Sequence, residues 1–292
     1  MKRCWRLILP IRRNDMSATS ELPIGVFDSG IGGLTVMRSL MRRLAGESFV
    51  YLGDTARLPY GTKSADTVTR YAVQCAGAVS GEGIKLLVVA CNTASAVAIG
   101  PLTEALHPIP VIGVIAPGAE AAVAAAPHGR IAVIATEGTV RGGAYARAIH
   151  ALRPDAQVTQ KACPLFVALA EEGLTEGDIP ERVAQHYLAE IVGAEETPDC
   201  LVLGCTHYPA LASVIARVAG PKIRLVDSAE TTASAVARLL IERDLTRKAS
   251  PVPPRFLATD APERFARVGE TFLGTHIDPA KVELIDLSPL AR

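Results

Sequence analysis

A short apolar run that halts at a cysteine occurs twice in this chain and limits its fold more than any other feature. Leu86-Leu87-Val88-Val89-Ala90 stops at Cys91-Asn92-Thr93-Ala94-Ser95, and Cys200-Leu201-Val202-Leu203-Gly204 stops at Cys205-Thr206-His207-Tyr208-Pro209. Apolar runs of this length, closed by small polar residues, fit strands buried on both faces of a parallel sheet. Helix-forming stretches follow at 96–106, interrupted by Gly100-Pro101, and at 211–218. Each cysteine is therefore expected at the carboxyl end of a strand, the edge where open α/β sheets bind ligands. One such cysteine reads as core packing. Two in matching places read as thiols facing one site.

The same alternation runs along the rest of the chain. Further strands are expected at 24–27, 49–52, 111–115, 131–135, 157–162, 223–227, 255–258 and 282–285. Between them, 34–44 carries Leu34, Met37, Leu40, Met41 and Leu44 on one helical face. Ser64 caps a helix whose apolar face includes Val68, Tyr71, Ala72, Cys75 and Val79, so Cys75 reads as core. Helices are also expected at 119–126, 145–152, 180–192 and 230–243, with another opening at Asp260, capped by Asp260 with Glu263 three residues on. The stretches 53–61 and 136–139 read as polar loops, and the Pro-rich 250–254 as a linker. This pattern predicts an α/β fold: two similar doubly wound parallel-sheet domains with the active site in the cleft between them. The expected domains are 22–116 plus 227–292, and 117–226.

Composition narrows the function. Lys+Arg and Asp+Glu number 30 each, so no global charge favours nucleic acid or an anionic membrane. No apolar run approaches the ~20 residues of a membrane span. The six cysteines form no CxxC pair, which argues against a zinc knuckle or a thioredoxin-type site and for no bound metal. Sparse cysteines in a core-rich chain fit a reducing, cytoplasmic setting. Residues 1–21 read as a flexible N-terminal extension, basic at Lys2, Arg3, Arg6, Arg12 and Arg13. Its apolar patch Leu7-Ile8-Leu9 is too short for a signal-peptide core, and Met16 is the expected start unless the stretch is a tail.

The glycine-rich turn Asp28-Ser29-Gly30-Ile31-Gly32-Gly33, with Asp54 further on, partly matches a dinucleotide fingerprint. Thr35 takes the third glycine's place, and Asp28 would repel a pyrophosphate. A helix start of this kind binds a small carboxylate equally well. For the cysteines, forming a thiolate at pH 7 from the ordinary ~8.5 costs about 2 kcal/mol. A helix N-terminus plus one partner is expected to offset that. His207, beside Cys205, is the candidate acid–base aid. Of Glu171 and Glu172, at most one is expected to act in the site.

Taken in order, Asp28-Ser29-Gly30-Ile31-Gly32-Gly33, Gly53-Asp54 with Pro59-Tyr60-Gly61, Cys91-Asn92-Thr93-Ala94-Ser95, Cys163-Pro164-Leu165-Phe166 and Gly204-Cys205-Thr206-His207-Tyr208-Pro209 resemble the motifs of bacterial glutamate racemases. The likeness runs from about Ile24 to Leu287. It implies a cofactor-independent isomerase that supplies D-glutamate for peptidoglycan. It also implies that Cys91 and Cys205 exchange the α-proton on opposite faces of glutamate, Asp28 assisting the first and His207 with Glu171 the second. Ser29, Asn92, Thr93, Thr206, Thr136 and Thr139, with His207, Asp28 and the backbone of Tyr60 and Gly61, resemble the family's substrate contacts.

Two rivals stand beside this reading. Another racemase of the superfamily, for aspartate, would share the same chemistry. A partner-binding protein would need no thiols. A pyridoxal enzyme would need a lysine in the site, and Lys63 and Lys85 lie outside the motifs. The residues leave the oligomer open, a homodimer included.

Overall fold

The computed structural model describes residues 19–287; the basic stretch with Met16 lies outside the described residues. The chain begins β1 (Ile24–Asp28), α1 (Leu34–Arg43), β2 (Phe49–Gly53), α2 (Ala65–Gly81), β3 (Leu86–Val89), α3 (Asn92–Val97), α4 (Ile99–Ala105), β4 (Val111–Gly113). It continues α5 (Ile115–Ala125), β5 (Arg130–Ala135), α6 (Glu137–Gly142), α7 (Ala144–Leu152), β6 (Gln157–Ala162), α8 (Leu165–Glu171), α9 (Asp178–Val192). Then come β7 (Cys200–Gly204), α10 (Ala212–Ala219), β8 (Arg224–Asp227), α11 (Ser228–Glu242), β9 (Arg255–Ala258), α12 (Pro262–Leu273) and β10 (Val282–Leu284).

The strands form two sheets, ordered β10-β9-β2-β1-β3-β4 and β6-β5-β7-β8. Every pairing is parallel. The expected α/β class, with two similar parallel sheets, is what the chain adopts. In the first sheet the chain passes from β1 to β2 on one side and then to β3 on the other. In the second it passes from β5 to β6 and then to β7. Each sheet thus has a switch point where two neighbouring strands send their connections opposite ways, leaving a crevice at their carboxyl ends. Cys91 follows β3 and Cys205 follows β7, so each thiol stands at one of the two crevices.

The central strands β1, β3 and β7 are buried along their whole length, which is why they read as unbroken apolar runs. The edge strand β6 alternates exposed and half-buried residues instead. α1 buries Leu34, Val36, Met37 and Leu40 and packs against α11 and α12.

Four expected elements differ. The helix after Cys91 starts at Asn92 rather than 96, because the Cys91 sulfur itself caps it; its break falls at Ala98, not at Gly100-Pro101. Pro101 lies in the first turn of α4, where a proline leaves no hydrogen bond unmade. The strand expected at 111–115 ends at Gly113, and α5 takes over with Pro117 in its first turn. The stretch 136–139 is no loop: Thr136 caps α6 and accepts from the Thr139 amide. Asp260 does not cap α12; Ala261 holds that position with φ 48°, and Asp260 accepts from its amide.

The amino ends of the first sheet are tied by a buried ion pair. Lys85 donates to the Glu47 carboxylate and to the Ser20 carbonyl, and both charged side chains are almost wholly buried. Glu47 also accepts from the Arg247 amide, and Arg247 bonds the Glu21 carbonyl. Ser20 and Glu21, expected within the extension, are thus bonded to Lys85 and Arg247. Lys85→Ala leaves the Glu47 carboxylate buried without its cation and is expected to cost about 3–5 kcal/mol in urea unfolding; a loss under about 1 kcal/mol would show that the pair is solvated.

Candidate active site

The carboxyl ends of both sheets face one cavity of about 290 Å³. From the first sheet it is lined by Ser29, Cys91, Asn92 and Thr93, and from the second by Thr136, Glu171, Cys205, Thr206 and His207. The Tyr60-Gly61 turn completes it, together with Leu58, Pro59, Thr62, Glu137, Pro164, Val167 and Ala168, which were not among the expected site residues. Eleven of the thirteen expected site residues line this space. The other two, Asp28 and Thr139, are fully buried behind it.

Cys91 caps α3, its sulfur accepting from the Ala94 amide at 3.4 Å and donating to the Ser29 hydroxyl at 3.4 Å. The helix end does not lower this thiol as expected. Burial pushes it up to about 12, and the Asp28 carboxylate adds to that, outweighing the Ser29 and Ala94 bonds. Asp28 is itself raised by burial, against the His207 charge and the amides of Gly33, Gly30 and Ser29. One of its oxygens accepts from Gly30 at 3.0 Å; the other has no partner.

The second thiol has different surroundings. The strand is followed by a tight turn and a 3-10 helix (Tyr208–Leu211), so Cys205 lacks the immediate helix start that Cys91 has. Its sulfur lies 3.8 Å from Nδ1 of His207, whose Nε2 is 3.2 Å from Glu171 Oε1. The other Glu171 oxygen accepts from Arg264 at 2.8 Å. Burial alone would strip the proton from His207, but bonds with Cys205 and Glu171 and the charges of Cys205 and Asp28 hold it up at about 10. Burial alone would raise Glu171; its bonds to His207 and Arg264 win and hold it at about 2. At neutral pH this side therefore presents an imidazolium to the sulfur. Glu172 makes no such contact, and of the two glutamates only Glu171 lines the cavity.

Contacts across the two sheets fix the walls. The Thr93 hydroxyl is 3.0 Å from that of Thr136 and 3.3 Å from that of Thr139. Thr35 donates to the Thr206 carbonyl at 2.8 Å. Gly32 admits the His207 ring: a Cβ there would come within 2.4 Å of it. Asn92 donates to the Tyr145 hydroxyl at 2.9 Å, while its carbonyl oxygen has no protein partner. With the Asn92 amide nitrogen on Tyr145, its oxygen is turned away from that hydroxyl.

Asp54, the carboxylate that a dinucleotide site would have used, is engaged inside the protein. It accepts from Arg57 at 2.7 Å, from Tyr60 and from Thr259 at 3.0 Å, which shapes the Tyr60-Gly61 turn. Among the described residues no three His, Cys, Asp or Glu side chains converge as metal ligands would, and no helix is long and apolar enough to cross a membrane.

The family model for Asp/Glu/hydantoin racemases matches residues 24–236. The chain belongs to that family. This racemase is an isomerase whose relatives include bacterial glutamate racemases. It is 50% identical over 252 residues to the glutamate racemase of Geobacter metallireducens, covering 86% of this chain and 92% of that one. The solved glutamate racemase of Francisella tularensis, in complex with D-glutamate, superposes with a TM-score of 0.85 at 39% identity over 92% of this chain and 98% of its own. That of Bacillus anthracis gives 0.87 at 37% identity, over 93% and 100%.

Within the racemase site, Tyr145 and Arg264 escaped sequence reading. Each lies far along the chain from the residue it serves, and neither sits in a strand-end motif. The Glu171–His207 pair also sets a pH window. Glu171, depressed from 4.5, stabilises the fold above 4.5 and loses that contribution as pH falls toward about 2. His207, raised from 6.5, stabilises below 6.5 and loses its contribution as pH rises toward about 10. Chemical unfolding of the wild type and Glu171→Gln across pH is expected to show their stability gap widest between 4.5 and 6.5 and narrowing on both sides. A gap that does not vary with pH would contradict the pairing.

Proposed function

We propose that this racemase interconverts L- and D-glutamate without a cofactor, through Cys91 and Cys205. The observation that carries the reading is that two thiols, one from each sheet's switch point, line one small cavity. In one direction the Cys205 thiolate, beside the His207 imidazolium, takes the α-proton and becomes a thiol. The Cys91 thiol gives its proton to the opposite face of the carbanion and becomes the thiolate. The reverse reaction exchanges the roles. The unequal surroundings suit this: burial and Asp28 favour a neutral Cys91, and His207 lies against the Cys205 sulfur.

Asp28, behind Cys91, assists that thiol, and Glu171 keeps His207 oriented. The hydroxyls of Ser29, Thr93, Thr136 and Thr206, with Thr139 behind them and the Tyr60-Gly61 backbone, hold the two carboxylates. The unpartnered Asn92 oxygen suits the ammonium group. Such fixed donors stabilise a carbanion-like transition state where water is excluded. The domains we assign, 22–116 plus 227–292 and 117–226, divide the thiols between them. The packing of α11 against α1 supports the boundary at 227. We place the reaction in the cytoplasm, supplying D-glutamate to peptidoglycan.

The test is incubation with L- or D-glutamate in deuterated water, with α-proton loss followed by NMR and inversion by chiral chromatography. Wild type is expected to invert both enantiomers. Cys91→Ser and Cys205→Ser are each expected to lose about a hundred- to ten-thousandfold in racemisation, retaining exchange with opposite enantiomers. Inversion of aspartate with glutamate untouched would overturn the substrate, and racemisation surviving in either variant would overturn the two-thiol mechanism.

A further inference from the structure

Helix α12 lies between the first-sheet strands β9 and β10 and packs on α1, yet it touches the second-sheet half of the site twice. Phe272 meets the His207 ring edge-on, with centroids 5.2 Å apart at 81°. About two turns earlier, Arg264 reaches Glu171 at 2.8 Å. The Glu171 carboxylate thus divides its two oxygens between a histidine of its own half and an arginine of the other. Its side chain is 13% exposed, so a carboxylate is held at the cavity wall with little water to share its charge.

We infer that Arg264 is a positioning residue for the Cys205 side of the reaction: it fixes Glu171, and through it His207, when α12 of the first-sheet half rests against α8 of the second. This rests on the racemase reading above. Three arguments support it. A carboxylate bonded to His207 alone could rotate about its last torsion, whereas two donors on separate oxygens fix its plane. The arginine also balances a negative charge that would otherwise oppose a thiolate on Cys205. And the clamp comes from the opposite half, so His207 is fully aligned only when the halves are together, which ties water exclusion to readiness of one thiol. His207 faces Cys205 on its own loop, Glu171 on α8 and Asp28 at the end of β1; Glu171 faces His207 and Arg264. Cys91 shares none of these contacts with Arg264, so the effect is one-sided.

The experiment compares Arg264→Gln, Arg264→Lys and, as a control for lost charge on the same helix, the exposed Arg267→Gln. Arg264→Gln is expected to lower kcat about tenfold while KM moves less than about twofold. Arg264→Lys is expected to recover most of the loss, and Arg267→Gln to behave as wild type. Iodoacetamide alkylation at pH 7, read by peptide mass spectrometry, then separates positioning from general support. In a Cys91→Ser background, Arg264→Gln is expected to slow Cys205 alkylation about threefold, since removing a nearby cation disfavours the thiolate. In a Cys205→Ser background, Cys91 alkylation is expected to stay unchanged. Equal slowing of both thiols, or no slowing of Cys205, would overturn the inference. Alkylation needs no substrate, so this outcome stands even if the wild type fails to racemise glutamate.

Discussion

Parallel strands put all their carboxyl ends on one edge, and in this chain the two sheets turn those edges toward one cavity. Everything at the site depends on that constraint. It brings residues more than a hundred positions apart, such as Ser29 and Thr206, onto one wall. It also places the thiols at the two switch points, where the crevice between diverging connections leaves room for a ligand. Several contacts between the halves are made by small groups: threonine hydroxyls, Gly32 under His207, and the Thr35 bond to Thr206. Bulkier residues there would hold the sheets apart.

The two thiols occupy unlike environments, and the difference is electrostatic. Cys91 is enclosed, with the Asp28 carboxylate behind it, and both burial and that charge oppose a thiolate. Cys205 faces an imidazolium whose charge is held by Glu171, which is in turn held by Arg264. The proposed reaction, which moves one proton between two sulfurs, needs one charged and one neutral at a time.

Much of this was legible along the chain. The strand-end cysteines, the parallel alternation and the cap at Ser64 follow from local pattern: apolar period, a β-branched run, a hydroxyl before a helix. Eight of the eleven expected residues on the cavity follow closely on a strand, while Tyr60, Gly61 and Glu171 do not. The errors were local too. The helix after Cys91 was expected too late because a cysteine is not an obvious cap, and 136–139 was expected as a loop because Thr and Gly carry weak helical preference. Tertiary packing on the opposite half stabilises α6 there.

The sequence by itself determined the strand and helix alternation, the place of each thiol at a strand end, and the hydrogen-bonding residues beside them, since all of these depend on neighbours within a few positions. Only the tertiary structure decided how the thiols differ. The expected helix-end lowering of Cys91 gave way to burial, which depends on what packs over it. The Tyr145 bond that orients Asn92, and the Arg264 clamp on Glu171, join residues with no relation in sequence. Charge and desolvation act through space, so they are set only once the two sheets meet.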